Sequence, residues 1–259
     1  MCNEEERIQC GLYWDKAWPL VEGCSPVSEG CERCWAAAQA YMRGFQDNEA
    51  IRNMYAGLTF KDGQNKGKWN GEVRTNSHLL DMPSKVKQPT VFAVWNDLFH
   101  EKVQDNFIHQ ALDVMAVVSR HTYLILTKRA ERIRDFRGQL PTEKNVWYGI
   151  TTETQQRANE RWYNLSGVVL YHKYLSVEPM LTYVNLDEMA NDDASQPDWV
   201  ICGEESGKGA RHAPEGAIEN LYHQCKERGI PFFLKQRYVG NKLVKAPLVE
   251  GVQCLETPF

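Results

Sequence analysis

No apolar run in the 259 residues approaches the roughly 18–20 needed to cross a bilayer, so no membrane span is expected. The opening stretch MCNEEERIQCGLYW lacks the basic start and apolar core of a secretory signal, which places the protein in the cytoplasm. A glycine-rich dinucleotide fingerprint is missing after the first strand-like segment, and no P-loop occurs anywhere. There is no His-Glu-x-x-His helix, and the seven histidines are scattered, which leaves a plain zinc hydrolase without support. Basic excess is missing too: the net charge of −4 argues against a nucleic-acid footprint spread over the whole surface.

Charge is nevertheless uneven. Lys128, Arg129, Arg132, Arg134 and Arg137 crowd one stretch, and Lys226, Arg228, Lys235, Arg237, Lys242 and Lys245 another. Solvated faces and a phosphate-facing rim both fit such runs, and charge by itself does not choose between them.

Eight cysteines are present, in a chain expected to sit in a reducing compartment, so disulfides are not expected. Cys202 and Cys225 fall in apolar-periodic segments and read as small buried hydrophobes. Cys24, Cys31 and Cys34 differ, because they fall within eleven positions of one glycine-flanked turn, VEGCSPVSEGCERCW. Thiolates at this density hold a metal. A closed zinc site takes four ligands, and the fourth here has to come from Cys10, Cys2 or a distant histidine. A [4Fe–4S] cluster with three protein ligands instead keeps one iron open to a small molecule.

From residue 90 onward, apolar strand-like runs alternate with helical periodicity: TVFAVW, TYLIL, NVWYGIT, VVLYHKYL, WVICG and IPFFL, with GLYW (11–14) as an opening strand. Alternation of this kind predicts parallel pairing through right-handed crossovers. About seven strands suit an α/β fold of TIM-like, incomplete (β/α) barrel type. The chain reads as one domain: a cysteine turn and helix over 11–45, an insertion or lid over 46–89, β/α units over 90–237 and a C-terminal tail over 238–259. Polar residues cluster where the strands end, at Asn96, Asp97, Lys128, Thr152, Glu153, Ser176, Glu178, Glu204, Glu205, Lys235 and Gln236. Such ends converge on the face of a barrel that carries active sites, so an enzyme is expected.

The stretches GCSPVSEGCERCWA, WNGEVR, NDLFHEKV, LTKRAERI, NVWYGITTE, YLSVEPML, WVICGEESGKGAR and GIPFFLKQ together resemble a family of phage and prophage proteins known as a gene-product domain of unknown function. Three cysteines at a barrel mouth are in turn similar to radical S-adenosylmethionine enzymes. The first cysteine gap here is six residues, where three is common in that superfamily, and Arg33 stands where an aromatic residue usually precedes the third cysteine. The resemblance implies a radical-SAM barrel, a [4Fe–4S] cluster on Cys24, Cys31 and Cys34, and S-adenosyl-L-methionine cleaved by one electron to a 5′-deoxyadenosyl radical. It implies an electron donor such as a flavodoxin or ferredoxin. By position, Asn96 and Asp97 are assigned to the methionyl ammonium and Lys128 to its carboxylate. Glu153 or Ser176 is assigned to the ribose and Glu178 to the adenine, with Trp35 beside the third cysteine.

The implied substrate is a modified thymine in phage DNA, with an N-linked glycinyl group isomerised to a C-linked one. Arg211, Lys235 or Arg237 is assigned to the glycine carboxylate. A radical enzyme of nucleic-acid repair or RNA modification, and a zinc- or cluster-stabilised nucleic-acid-binding module without catalysis, are the alternatives.

Overall fold

Side chains alternate across the central strands, and both faces of those strands are apolar. This is the signature of parallel strands covered on each side. In Thr122–Thr127, Tyr123 and Ile125 join one buried cluster and Leu124 joins another. The structure, a computed structural model, describes residues 4–189 and 196–259.

Helix α1 (Glu4–Gln9) is followed by β1 (Lys16–Trp18), β2 (Val21–Gly23), α2 (Trp35–Arg43), α3 (Glu49–Tyr55), β3 (Val73–Thr75) and α4 (Met82–Lys85). The regular part then runs β4 (Val91–Val94), α5 (Asp105–Val117), β5 (Thr122–Thr127), α6 (Ala130–Asp135), β6 (Val146–Thr151), α7 (Gln155–Ser166), β7 (His172–Val177), β8 (Trp199–Gly203), α8 (Ala217–Arg228) and β9 (Phe232–Val239). Strands β10 (Lys242–Lys245), β11 (Leu248–Val249) and β12 (Val252–Gln253) complete the chain.

The main sheet has the order β1-β4-β5-β6-β7-β8-β9-β10. Every neighbouring pair is parallel except β9–β10, and the sheet curls into a half barrel, in keeping with a partial TIM-like fold. Its convex face packs on the helices: Phe107, Leu112 and Met115 of α5, Trp162 and Leu165 of α7, and Leu221 and Cys225 of α8 are all buried there, as is Cys202 of β8. The concave face is aromatic, with Trp147, Tyr174, Trp199 and Phe233 buried around Tyr13. Gly149 makes that packing possible. It lies opposite Tyr174 in the β6–β7 register, and a Cβ there would meet the Tyr174 ring at 2.2 Å.

Two expectations change. The opening strand is Lys16–Trp18, not Gly11–Trp14, which forms an irregular strap. Gly11 takes φ +74 and presses against the Lys235 carbonyl, where a Cβ would come within 2.6 Å, and that backbone does not continue into a strand. Farther on, Asp15 returns the chain to the sheet by accepting from the Val91 N–H at 2.6 Å. The 238–259 segment is more than a tail: it adds β10 to the sheet edge, and the Leu234 N–H donates to the Cys254 carbonyl at 2.8 Å. Residues 46–89 contain α3, β3 and α4. Tyr55, Leu58 and Trp69 pack on Ala37 and Ala40 of α2, so this segment buttresses the helix that leaves the cysteine turn.

Candidate functional site

The cysteine turn lies over the carboxy-terminal ends of the strands, and ion pairs fasten it there on three sides. After Ser28 one 3₁₀ turn, Glu29–Cys31, carries the chain to Cys34, which caps α2 in an extended conformation. On the β5 side, the buried Arg129 donates to the Ser25 carbonyl at 3.2 Å, the Ser25 hydroxyl at 2.8 Å, Asp97 at 2.7 Å and Glu101 at 2.5 Å. The same guanidinium lies 3.9 Å from the Sγ of Cys24.

On the β6 side, the Ser28 hydroxyl donates to the fully buried Glu153, which also accepts from Arg161. Thr154 and Arg157 at the start of α7 hold Glu29. On the β8 side, Arg211 grips Glu205 through two bonds and reaches back to Glu32 at 3.2 Å and to the Glu29 carbonyl at 2.9 Å.

These pairs set the local electrostatics. Burial works to raise the Glu153 carboxyl, but Lys128, Arg161 and the Ser28 hydroxyl outweigh it and hold it below the usual carboxylate range. Glu205 is held down in the same way, burial being outweighed by Arg211 and Arg33. Burial pushes the Cys24 thiol up to about 12, with Asp97 adding to it and Arg129 pulling against it. A thiolate at Cys24 therefore forms only with cationic help. His100, also buried, accepts from the Lys102 N–H at Nδ1 (3.1 Å), which leaves Nε2 to donate to the Ser25 hydroxyl at 2.8 Å. It is a structural hydrogen-bonding residue of the turn.

Beneath the turn opens a cavity of about 530 Å³. Cys24, Cys31 and Cys34 all line it, and none is in a disulfide. The opposite wall carries Ser176 and Glu178, whose side chains point the same way from β7 and the residue after it. Ser176 is fully buried, and neither its Oγ nor Glu178 Oε1 has a partner among the described residues. The other Glu178 oxygen accepts from Lys235 at 3.0 Å. Buried polar atoms without partners are rare in folded proteins and mark places where a ligand completes the bonding.

The remaining assigned residues divide. Lys128, Lys235 and Trp35 face the cavity. Asn96 and Asp97 reach its edge, but the Asn96 amide is bonded to the Val21 carbonyl at 2.7 Å and to Glu22. Asp97 is occupied by Arg129, the Thr127 hydroxyl at 2.6 Å and the Phe99 N–H. Glu153 and Arg211 lie behind the turn as its clamps. Arg237 is away from the cavity, paired with Glu219 of α8 at 2.6 Å.

Four cavity residues went unassigned in the sequence: Tyr13, Trp14, Trp95 and Lys245. Trp95 follows the same apolar strand that presents Asn96, so its place one residue before the strand end was a usable signal. Tyr13, Trp14 and Lys245 gave none, because the strap and the antiparallel edge that bring them here are tertiary features.

The basic stretch around residue 130 is no phosphate rim along its whole length. Arg129 is buried, and Arg132 is spent on the Glu101 and Val103 carbonyls and on Asp105.

Among the described residues, no three Cys, His, Asp or Glu side chains are grouped as a single metal ion requires; Cys10 is exposed and Cys2 lies outside the described residues. A [4Fe–4S] cluster makes a different demand, since each thiolate takes its own iron and only three protein ligands leave the fourth iron open. Three free thiols on one clamped turn, facing a cavity with unsatisfied polar atoms behind it, fit that group.

No curated protein and no solved structure matches the chain. A family model does match, over residues 10–248, which takes in the cysteine turn, every cavity strand and β10. The chain belongs to the family of proteins of unknown function DUF5131.

Proposed function

We propose that this protein is a radical S-adenosylmethionine enzyme that modifies nucleic-acid bases, with Cys24, Cys31 and Cys34 as the ligands of a [4Fe–4S] cluster. The observation that carries the reading is the placement of those three free thiols on one wall of a cavity whose facing wall presents the unpartnered Ser176 Oγ and Glu178 Oε1. When bound, the cluster and S-adenosylmethionine supply one-electron cleavage of the sulfonium, with the electron drawn from a flavodoxin or ferredoxin.

This chain's own residues then have defined tasks. The Arg129, Glu153 and Glu205 clamps fix the turn, so that three thiols are presented without a large ordering cost at binding. Arg129 offsets the burial penalty on the Cys24 thiolate. Ser176 and Glu178 offer a hydroxyl and a carboxylate oxygen to the hydroxyl and amino groups of an adenosyl moiety, and Lys128 offers a cation. The indoles of Trp14, Trp35 and Trp95 supply stacking faces of the kind that hold an extruded base. Within this class, the assigned reaction is isomerisation of an N-linked glycinyl-thymidine to its C-linked form in DNA.

The test is anaerobic purification, iron and sulfide counts, and EPR of the reduced protein with and without S-adenosylmethionine. About four irons per chain, a signal that shifts with S-adenosylmethionine, release of 5′-deoxyadenosine, and loss of all three in Cys31→Ala are expected. Zinc in place of iron, surviving exposure to air, overturns the reading. Activity compared across DNA, RNA and free nucleosides then tests the base-modifying assignment.

A further inference from the structure

We propose that Lys235 and Lys245, on the antiparallel strands β9 and β10, form the anion-binding end of the substrate site, with the indoles of Trp14 and Trp95 as its stacking wall. The cavity would then take a nucleobase that carries a negatively charged group. This deepens the reading above by naming the substrate class, and rests on it for the cavity's role.

The argument begins with charge pairing. Among the cations that line the cavity, Arg129 is matched by Asp97 and Glu101, Arg33 by Glu205, Lys128 by Glu153 and Lys235 by Glu178. Lys245 differs. Its ammonium donates to the Gln236 side-chain carbonyl, and among the described residues no carboxylate pairs with it. The β9–β10 register sets Lys245 opposite Gln236, one residue beyond Lys235, which brings both ammonium groups to the same side of the mouth. Burial lowers the Lys245 ammonium below its ordinary value, and Lys235 adds to that. An anion between the two relieves the tension.

The aromatic wall runs on from the lysines without a gap. Lys235 Nζ lies 5.9 Å from the centre of the Tyr13 ring. Tyr13 is followed by Trp14, whose ring centre is 6.0 Å from that of Trp95, and Trp95 in turn lies 5.3 Å from Trp35. Both indole pairs meet edge to face, at 72° and 71°, so each leaves a π face unstacked by its neighbour. One end of this line is the cysteine turn and the other is the lysine pair. A ligand that spans it needs a flat aromatic body and an anion at its far end. A nucleotide phosphate and a carboxylate carried on the base both have that chemistry.

The experiment is a tryptophan-fluorescence titration of cluster-free protein with thymidine, thymidine 5′-monophosphate, 5-carboxy-2′-deoxyuridine and inorganic phosphate. One of the two anionic nucleosides is expected to bind at least about tenfold more tightly than thymidine, as one charge-assisted hydrogen bond allows. Lys245→Gln removes that preference and Lys245→Arg restores it, while Trp14→Leu weakens all the nucleosides together. Which anionic nucleoside shows the preference identifies the anion as phosphate or carboxylate. Equal binding of charged and neutral nucleosides, or an unchanged preference in a Lys245→Gln protein with wild-type circular dichroism, overturns the proposal. Loss of the S-adenosylmethionine effect on the reduced cluster in Lys245→Gln also overturns it, by giving the lysine to the cofactor. Iron counts and EPR test the cluster without any nucleoside, and the titration tests this site without any cluster, so the two failures are distinguishable.

Discussion

Arg211 binds Glu205 at two points, 2.5 Å to one carboxylate oxygen and 3.0 Å to the other, and with the rest of its guanidinium holds the backbone of the cysteine turn. Its geometry is that of a fastener rather than of a substrate anchor. Glu205 is buried while Arg211 is a quarter exposed. Arg211→Ala should therefore cost roughly 2 kcal/mol, between the values for exposed and buried pairs. The three turn thiols should react faster with a thiol reagent, and iron loading should fall. Arg237→Ala is the control: its pair with Glu219 is partly solvated on both sides, so it should cost under about 1 kcal/mol and leave thiol reactivity unchanged.

The Arg129–Asp97 pair makes a sharper energetic prediction. Both side chains are only 10% exposed, and Asp97 has no other cation as close. Arg129→Leu strands a buried carboxylate, which should cost on the order of 3–5 kcal/mol in urea denaturation. The double variant Arg129→Leu/Asp97→Asn should recover part of that loss, because the uncompensated charge is gone. Strict additivity of the two single changes is the outcome that counts against a direct pair.

Gly30 marks how closely the turn lies on its support. A Cβ there would fall 2.3 Å from Cγ of Glu153, a carboxylate that is itself bonded to Ser28, Arg161 and Lys128 and has no room to retreat. Gly30→Ala should cost about 1–3 kcal/mol as an overpacked contact and should expose the thiols, read by faster modification. Gly167→Ala, where a Cβ meets nothing within 4 Å, should leave both measurements as they are.

These clamps explain which parts of the molecule could be read in the sequence. The parallel strands were legible because each is an apolar run of the right length, and the polar residues at their ends were legible as a set. What the set does was not. Glu153, Arg211 and Asp97 look the same in sequence as Ser176, Glu178 and Lys235, since all sit at or just past strand ends. They part company only when the cysteine turn folds back over three of those ends and consumes their charges, a pairing separated by more than a hundred residues in the case of Ser28 and Glu153. The strap that carries Tyr13 and Trp14 was read as a strand because its apolar residues outweighed the effect of Gly11. The edge strand with Lys245 was taken for a tail because its exposed, charged pattern carries no burial signal.

His121 gives the stability a pH dependence independent of the site. It is 1% exposed, its Nε2 lies 3.0 Å from the Pro83 carbonyl, and its Nδ1 has no partner. Burial lowers its pKa below the ordinary histidine value, with the nearby Arg120 acting in the same direction and the Pro83 carbonyl opposing. The unfolded chain therefore takes up a proton near pH 6.5 that the folded chain refuses, and stability falls as pH drops through that value. In urea melts between pH 8 and pH 5, His121→Asn should show a shallower loss on the acid side than the wild type. Identical slopes for the two proteins would remove His121 as a source of the acid lability.

Ser176 offers a test in which stability and function move in opposite directions. Its hydroxyl is fully buried on the concave face with no protein partner, so the empty cavity carries a desolvated polar group that contributes nothing to folding. Replacing it with alanine removes that penalty at the expense of a very small void. Ser176→Ala should thus be neutral or more stable by up to about 1 kcal/mol without ligand. If the hydroxyl is kept for a ribose, the same variant should bind S-adenosylmethionine about tenfold more weakly, the value of one hydrogen bond made only in the complex. A structural serine predicts the reverse pattern, with lost stability and unchanged affinity. Thermal melts and S-adenosylmethionine titrations of the one variant separate the two, because a residue maintained against its own cost in the free protein is maintained for what it binds.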